Sequence, residues 1–198
     1  CAAPQVVLVA HDWEHRAYFA QRVQYWLQQY GGQSAPFYPG SKDTHDHFAQ
    51  LPGAQVLSCV NAGAPDGKRP EQPPIWFPNG GGLRNQQSKN KGTTTEQPLD
   101  NKDHDIPTDL LTREAFCPVL AEIPLTHCSQ KDDPVTFLQK AVEYAETNTF
   151  GSLSAVLLMD DATAQLPEVN EIVARMKYGV VGINMIPAFA YSVSTLVW

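Results

Sequence analysis

The chain has 198 residues, of which 42% are hydrophobic, and its formal net charge at pH 7 is -7. This length provides one domain with a substantial core and too little chain for two ordinary domains. The acidic balance, without a basic stripe, argues against nucleic acid as a partner. No apolar run approaches the roughly 18 residues that span a bilayer, so we expect no membrane insertion.

The cysteines and histidines carry no motif of a metal site. The four cysteines are far apart and form no CxxC pair, which argues against zinc and thioredoxin-type chemistry and favours a reduced, cytoplasmic protein. Cys59, Cys117 and Cys128 are predicted to be structural. His11 and His15 have i, i+4 spacing, but HDWEH lacks the zinc-protease pattern. We therefore predict no metal, and expect the following histidines to be solvated at the surface: His11, His15, His45, His47 and His104.

The first third of the chain predicts a strand, a helix and a second strand. The apolar run 4–10 is typical of a buried strand. Residues 13–30 have helical spacing, with Asp12 as a plausible N-cap and Gly31 and Gly32 as a stop signal. One face of that helix comprises Ala20, Val23, Leu27 and Tyr30. Residues 56–60 favour another strand. From about residue 61 to residue 111 the chain is rich in Pro, Gly, Asn, Gln and Lys, and we expect an irregular surface excursion there.

The last third alternates strands and helices. Strands are predicted at 118–125, 153–159 and 180–184, and helices at 134–148 and 167–176. The inward face of the first of these helices is predicted to comprise Phe137, Leu138, Ala141, Val142 and Ala145. This order indicates a single α/β domain with a largely parallel sheet flanked by helices.

Three stretches, in this order, resemble the aldehyde dehydrogenase superfamily. The first is CAAPQV, residues 1–6, a cysteine followed by a strand and a long helix. The second is TREAFCPV, residues 112–119, which is similar to the family's Glu-x-Phe-Gly-Pro motif with Cys117 in place of glycine. The third is 137–184, similar to the family's last helices and strands. Residues 33–111 carry little of the resemblance. Residues 185–198 resemble a divergent branch of the superfamily more than its typical members.

The resemblance implies a three-layer catalytic domain in which Cys1 is the nucleophile. Attack of its thiolate on an aldehyde gives a thiohemiacetal, hydride passes to NAD or NADP, and water opens the resulting thioester. The resemblance further implies that Glu114 binds the nicotinamide ribose, that Phe116 packs beside it, and that Asn184, Ile186, Phe189 and Tyr191 line the aldehyde pocket. The residue types alone also fit other roles: Cys1, Phe116, Ile186, Phe189 and Tyr191 as core residues, Glu114 as a surface acid, and Asn184 as a turn residue.

The family's nucleotide-binding domain, its oxyanion asparagine and its water-activating glutamate have no counterpart in these 198 residues. The resemblance therefore implies a catalytic portion that depends on its own nucleotide-binding domain and is inactive in isolation. It also implies a small-molecule aldehyde as substrate and homo-oligomers of the full protein.

Three other functions stay open for a chain that starts at cysteine. One is an N-terminal-nucleophile hydrolase, in which the amine of Cys1 acts as base, although alternating strands and helices do not suit its stacked antiparallel sheets. Another is a lipoprotein-type binding module, although a strand within about five residues leaves no flexible tether. The last is a non-catalytic dehydrogenase fragment. The sequence preceding Cys1 would discriminate among them.

Overall fold

The computed structural model describes residues 4–31, 36, 38–60, 72–81, 106–129, 131–186 and 188–189. Within these ranges the elements are β1 (Val6–Ala10), α1 (Arg16–Tyr30), α2 (Ser41–Ala49), β2 (Gln55–Val56), β3 (Ile75–Phe77), a 3-10 turn (Pro78–Gly81), α3 (Thr108–Thr112), β4 (Val119–Leu125), α4 (Pro134–Asn148), β5 (Ser154–Leu157), α5 (Asp161–Ala164), α6 (Pro167–Arg175) and β6 (Val180–Ile183).

A four-stranded sheet with the order β1-β4-β3-β2 forms the centre of the fold. β4 runs parallel to both neighbours, with Val6 opposite Ala121 and Ile75 opposite Val119, whereas β2 is an antiparallel edge strand. β5 and β6 form a parallel pair of their own instead of extending this sheet. The α/β class and the largely parallel pairing are thus confirmed, in a mixed sheet.

Two apolar clusters hold the elements together. The larger packs Phe48 of α2 and Leu110 of α3 against β3 and β4. The smaller joins Leu138 of α4 to Val169 and Ile172 of α6. α4 takes part in both, because its Ala141 belongs to the larger cluster. This helix therefore connects the four-stranded sheet to the β5–α6–β6 part of the chain.

α4 has the predicted bounds, and its start shows why. The Asp133 carboxylate accepts hydrogen bonds from the main-chain N–H groups of Val135 and Thr136, and Pro134 occupies the first turn. Both features satisfy or remove donors that a helix start leaves without partners. No helix in the described part of the chain has the length and apolar character needed to cross a membrane.

The predicted start of α1 is wrong. The helix begins at Arg16 after His15, which provides no side-chain cap. Asp12 instead accepts a hydrogen bond from the Ser129 hydroxyl at 2.7 Å. Tyr30 is 59% exposed, and no residue of α1 is fully buried. The helical spacing was sufficient to predict the helix but not how deeply it packs.

The predicted surface excursion is also wrong in part, because its described segments enter the core. All three residues of β3 are buried between β4 and β2. In the turn that follows, Gly81 has φ +83, and a Cβ there would lie 2.6 Å from the Pro52 carbonyl oxygen. Three apolar residues in a polar stretch are too few to reveal a strand, but a parallel neighbour supplies their hydrogen bonds and burial. Residues 61–71 and 82–105 lie outside the described residues.

The strand predicted at 56–60 is wrong beyond its first residue. Only Gln55 and Val56 pair with β3, opposite Trp76 and Ile75. Leu57 donates one more main-chain hydrogen bond to Pro74, at 2.9 Å. Because β3 has only three residues, it offers no further partners for a longer strand.

Candidate functional site

The segment 113–116 connects α3 to the central strand β4 and contains two of the predicted site residues. The Arg113 N–H donates to the Asp109 carbonyl at 3.1 Å, which closes α3. Ala115 is buried, whereas the Glu114 side chain next to it is exposed. Its carboxylate forms no hydrogen bond or ion pair with any residue that the structure describes. An ionised carboxylate has two oxygens that accept hydrogen bonds.

The Gln5 side chain holds this segment from the amino end of β1. Its Oε1 accepts a hydrogen bond from the Ala115 N–H at 2.9 Å. Its Nε2 donates to the carbonyl oxygens of Arg113 at 2.7 Å and Leu110 at 3.0 Å. The main chain on both sides of Glu114 is thus bound to one amide, which restricts where the Glu114 carboxylate can lie.

Phe116 occupies the left-handed region, with φ 48. Such a conformation is an outlier for a bulky residue and needs support from its surroundings. The buried Ser41 hydroxyl lies 3.0 Å from the Phe116 carbonyl oxygen, to which it can donate. The buried Gln72 Nε2 donates to that hydroxyl at 2.9 Å. The Tyr38 ring lies 5.0 Å from the ring of Phe116, which is 46% exposed. The main chain and the ring of Phe116 are thus both held from outside the segment, two residues after Glu114.

The predicted nucleophile Cys1 lies outside the described residues, as does Tyr191. Gln5, however, begins the pairing of β1 with β4, since its carbonyl oxygen accepts the Ala121 N–H at 2.9 Å. β1 and β4 are parallel, so the residues that precede them share one edge of the sheet.

The predicted substrate residues lie beyond the carboxyl end of β6, on the two-stranded sheet. The Asn184 side chain continues the β5–β6 ladder: its Oδ1 accepts from the Met159 N–H at 3.0 Å and its Nδ2 donates to the Met159 carbonyl at 2.7 Å. The Asn184 side chain therefore fixes the main chain at the end of the ladder. Ile186 and Phe189 are 61% and 62% exposed, so neither is a core residue. The structure thus places the predicted site residues in two sets, one at each sheet.

The described cysteines are in environments that suppress the thiolate. Burial raises the pKa of Cys117 and of Cys128 to about 11, and burial also raises the pKa of Cys59. The thiolate is the nucleophilic form, so these three thiols are poor nucleophiles near neutral pH. This agrees with the structural role predicted for them.

Three of the histidines predicted to be solvated at the surface have hydrogen-bond partners within the protein. His45 is buried, with its Nε2 2.7 Å from the Pro73 carbonyl oxygen, so its assignment as a solvated histidine is wrong. His11 Nδ1 lies 3.0 Å from the Cys128 carbonyl oxygen, and His47 Nε2 lies 2.5 Å from Asp109 Oδ2. His15 is largely exposed, as predicted, and His104 lies outside the described residues. No three potential metal-ligating side chains come together in the described ranges.

Sequence reasoning missed Gln5, Tyr38, Ser41 and Gln72. Gln5 is the one polar residue in the apolar run 4–10, and that exception was the available signal. Ser41 follows Gly40, whose φ of 74 is left-handed and marks a helix entry. The partners of these side chains lie too far along the chain for any local pattern to indicate them.

The chain matches no protein-family model, and no curated protein is similar to it in sequence.

Proposed function

We propose that the chain is the catalytic portion of an NAD(P)-dependent aldehyde dehydrogenase, which oxidises an aldehyde to a carboxylic acid through a thioester on Cys1. The observation that carries the proposal is the segment 113–116. It presents an exposed carboxylate and an exposed aromatic ring on a main chain bound at Arg113, Ala115 and Phe116. The segment also adjoins the strand that follows Cys1.

The cofactor proposal rests on what Glu114 and Phe116 offer. A carboxylate has acceptor oxygens for the paired hydroxyls of a ribose, and an exposed ring provides a flat apolar surface. Both groups are exposed and lie on a rigid backbone, so they fit the nicotinamide end of NAD or NADP. When bound, the nicotinamide would accept the hydride.

The roles proposed for the chain's own residues follow from their chemistry. Cys1 would attack the aldehyde carbon as a thiolate, and its ionisation has to be favoured by the site because a free thiol is mostly protonated at pH 7. Ile186 and Phe189 would supply apolar contacts to the aldehyde. Asn184 would fix the start of that apolar segment through its two hydrogen bonds to Met159.

The proposed function also implies a specific domain architecture. The parallel β1–β4–β3 arrangement and the β5–α6–β6 unit are compatible with the three-layer catalytic domain of aldehyde dehydrogenases. The nucleotide-binding domain, the oxyanion asparagine and the water-activating glutamate would then lie outside these 198 residues. The full protein would be a cytoplasmic homo-oligomer.

The test is to assay the intact protein with a panel of aldehydes and with NAD and NADP separately. We expect NADH or NADPH production that Cys1→Ser lowers by several orders of magnitude, because a hydroxyl does not ionise appreciably near neutral pH. Nucleotide binding, measured by fluorescence, should not change. Mass spectrometry of quenched turnover should find the acyl group on the Cys1 peptide.

Cys59→Ser is the matched control, because this thiol is half-buried with a raised pKa. It should keep wild-type turnover. Near-native turnover in Cys1→Ser would disprove covalent catalysis by this thiol. Hydrolysis of amides by the wild-type protein, without any nucleotide, would instead favour the N-terminal-nucleophile hydrolase.

A further inference from the structure

The amide of Gln5 joins the strand after Cys1 to the main chain around Glu114. We propose that Gln5 is a positioning residue: it fixes the main chain on both sides of Glu114 against β1, so that a nicotinamide ribose meets a preformed carboxylate site. The inference rests on the proposed function, and it assigns to Gln5 a role that acts through Glu114 rather than by contact with the cofactor.

The side-chain amide of Gln5 matches the groups that it binds. The segment presents one donor, the Ala115 N–H, and two acceptors, the carbonyl oxygens of Arg113 and Leu110. Gln5 supplies the complement, since its Oε1 accepts and the two hydrogens of its Nε2 donate. A glutamate at this position would accept but not donate, and a leucine would leave all three main-chain groups without these partners.

The amide is itself anchored in the sheet. The Gln5 carbonyl oxygen accepts the Ala121 N–H at 2.9 Å, next to the first β1–β4 pair, Val6 and Ala121. Through Gln5 the segment is therefore tied to both β1 and β4. On its far side the segment is held at Phe116 by Ser41.

Glu114 contrasts with this bound main chain, because its side chain is exposed and makes no polar contact within the described part of the molecule. A main chain that is already held in place and presents an exposed functional group lowers the ordering cost of binding. Gln5 thus suits a role in preorganisation, which is separate from the packing of the core.

The experiment is a double-mutant cycle in the intact protein that combines Gln5→Leu with Glu114→Ala. The dissociation constants of NADH and NADPH are measured by fluorescence. We expect each single variant to weaken binding of the preferred nucleotide about tenfold, the scale of a lost charge-assisted hydrogen bond. In the Glu114→Ala background, Gln5→Leu should produce no further loss, because its effect passes through the carboxylate.

A second readout does not involve the cofactor. Amide hydrogen exchange at Ala115 should become faster in Gln5→Leu and remain unchanged in Gln21→Leu, the control at an exposed position on α1. If Gln5→Leu does not fold, Gln5→Asn replaces it, because it keeps the amide but shortens its reach. The rate of Cys1 alkylation is followed in each variant to show that the nucleophile remains accessible.

The outcomes separate the two proposals. If Glu114→Ala leaves nucleotide binding unchanged, the ribose role fails, and the inference fails with it. If Glu114→Ala weakens binding while Gln5→Leu does not, or if the two losses add, Gln5 is a structural residue and only the inference is overturned. Non-additive losses together with faster exchange at Ala115 support it.

Discussion

Glu122 places a carboxylate inside the central strand, and Arg16 of α1 binds it. Arg16 Nε lies 2.5 Å from Glu122 Oε1, with side chains only 12% and 2% exposed. The Asn79 N–H donates to Glu122 Oε2 at 3.3 Å, and Arg16 also donates to the Asn79 side chain. This ion pair therefore connects α1, β4 and the turn after β3.

Replacing one partner of this pair should destabilise the protein strongly. Glu122→Leu would leave the Arg16 guanidinium buried without its carboxylate, which typically costs about 3–5 kcal/mol. Urea unfolding measures the change, with Glu143→Leu on the exposed face of α4 as the control. The double variant Arg16→Met/Glu122→Leu should lose less stability than the sum of its single variants. Additive losses would contradict a direct pair.

The half-buried Cys117 and the buried Cys128 should react with iodoacetamide only at high pH. A raised pKa means that Cys117 and Cys128 stay protonated until the pH approaches about 11. Their alkylation rates at pH 8 should therefore be well below those in the urea-unfolded chain, and should rise between about pH 9 and pH 11. Peptide mass spectrometry measures both rates. Equal labelling of folded and unfolded chains at pH 8 would refute the raised pKa values.

Among the described elements, α4 packs in both apolar clusters. Leu138 belongs to the smaller cluster with α6, while Ala141 belongs to the larger one. The Phe150 N–H, just after the helix, donates to the Leu111 carbonyl of α3 at 2.7 Å. Packing between α4 and α6 is therefore expected to determine how firmly the β5–β6 pair is attached.

Ile172→Ala tests that packing. Ile172 of α6 is buried in the smaller cluster, and removing such a side chain typically costs about 2–5 kcal/mol. Glu171→Ala, at the exposed neighbouring position, should change stability by less than about 0.5 kcal/mol. Chemical denaturation followed by circular dichroism compares the two variants. A loss below about 1 kcal/mol for Ile172→Ala would mean that α6 does not pack as described.

At the scale of the whole molecule, several large apolar side chains that are close in sequence to β5 and β6 are exposed. Leu158 is 74% exposed and Phe150 is 68% exposed, close in sequence to β5, while Ile186 and Phe189 follow β6 with more than half of their surface exposed. Large exposed apolar areas are unusual on soluble monomers and favour association. If the chain is part of a larger dehydrogenase, these residues are candidates for contacts with substrate or with the rest of that protein.

Residues 1–198 expressed alone should therefore self-associate and show no dehydrogenase activity. Sedimentation velocity should detect oligomers, and Leu158→Glu/Phe189→Ser should shift them toward monomer. Glu171→Ala serves again as the control and should leave the distribution unchanged. Sustained, Cys1-dependent production of NADH or NADPH by the isolated chain would show that it is a complete enzyme, contrary to the proposal.

Elements whose signals are local could be predicted from the sequence. β1, β4 and α4 follow from continuous apolar runs or helical spacing with a nearby cap, so neighbouring residues alone specify them. The α/β class follows from their order along the chain. Glu114 and Phe116 were singled out from a short motif, and their assigned roles remain predictions.

Only the tertiary structure determined what lies between and around those elements. β3 is a strand because β4 pairs with it and buries it, and nothing within its three residues indicates that partner. The hydrogen bonds from Gln5 to the segment 113–116 join residues more than a hundred positions apart in the sequence. Hydrogen bonds of this kind have no sequence period, because they depend on where folding brings the two strands together.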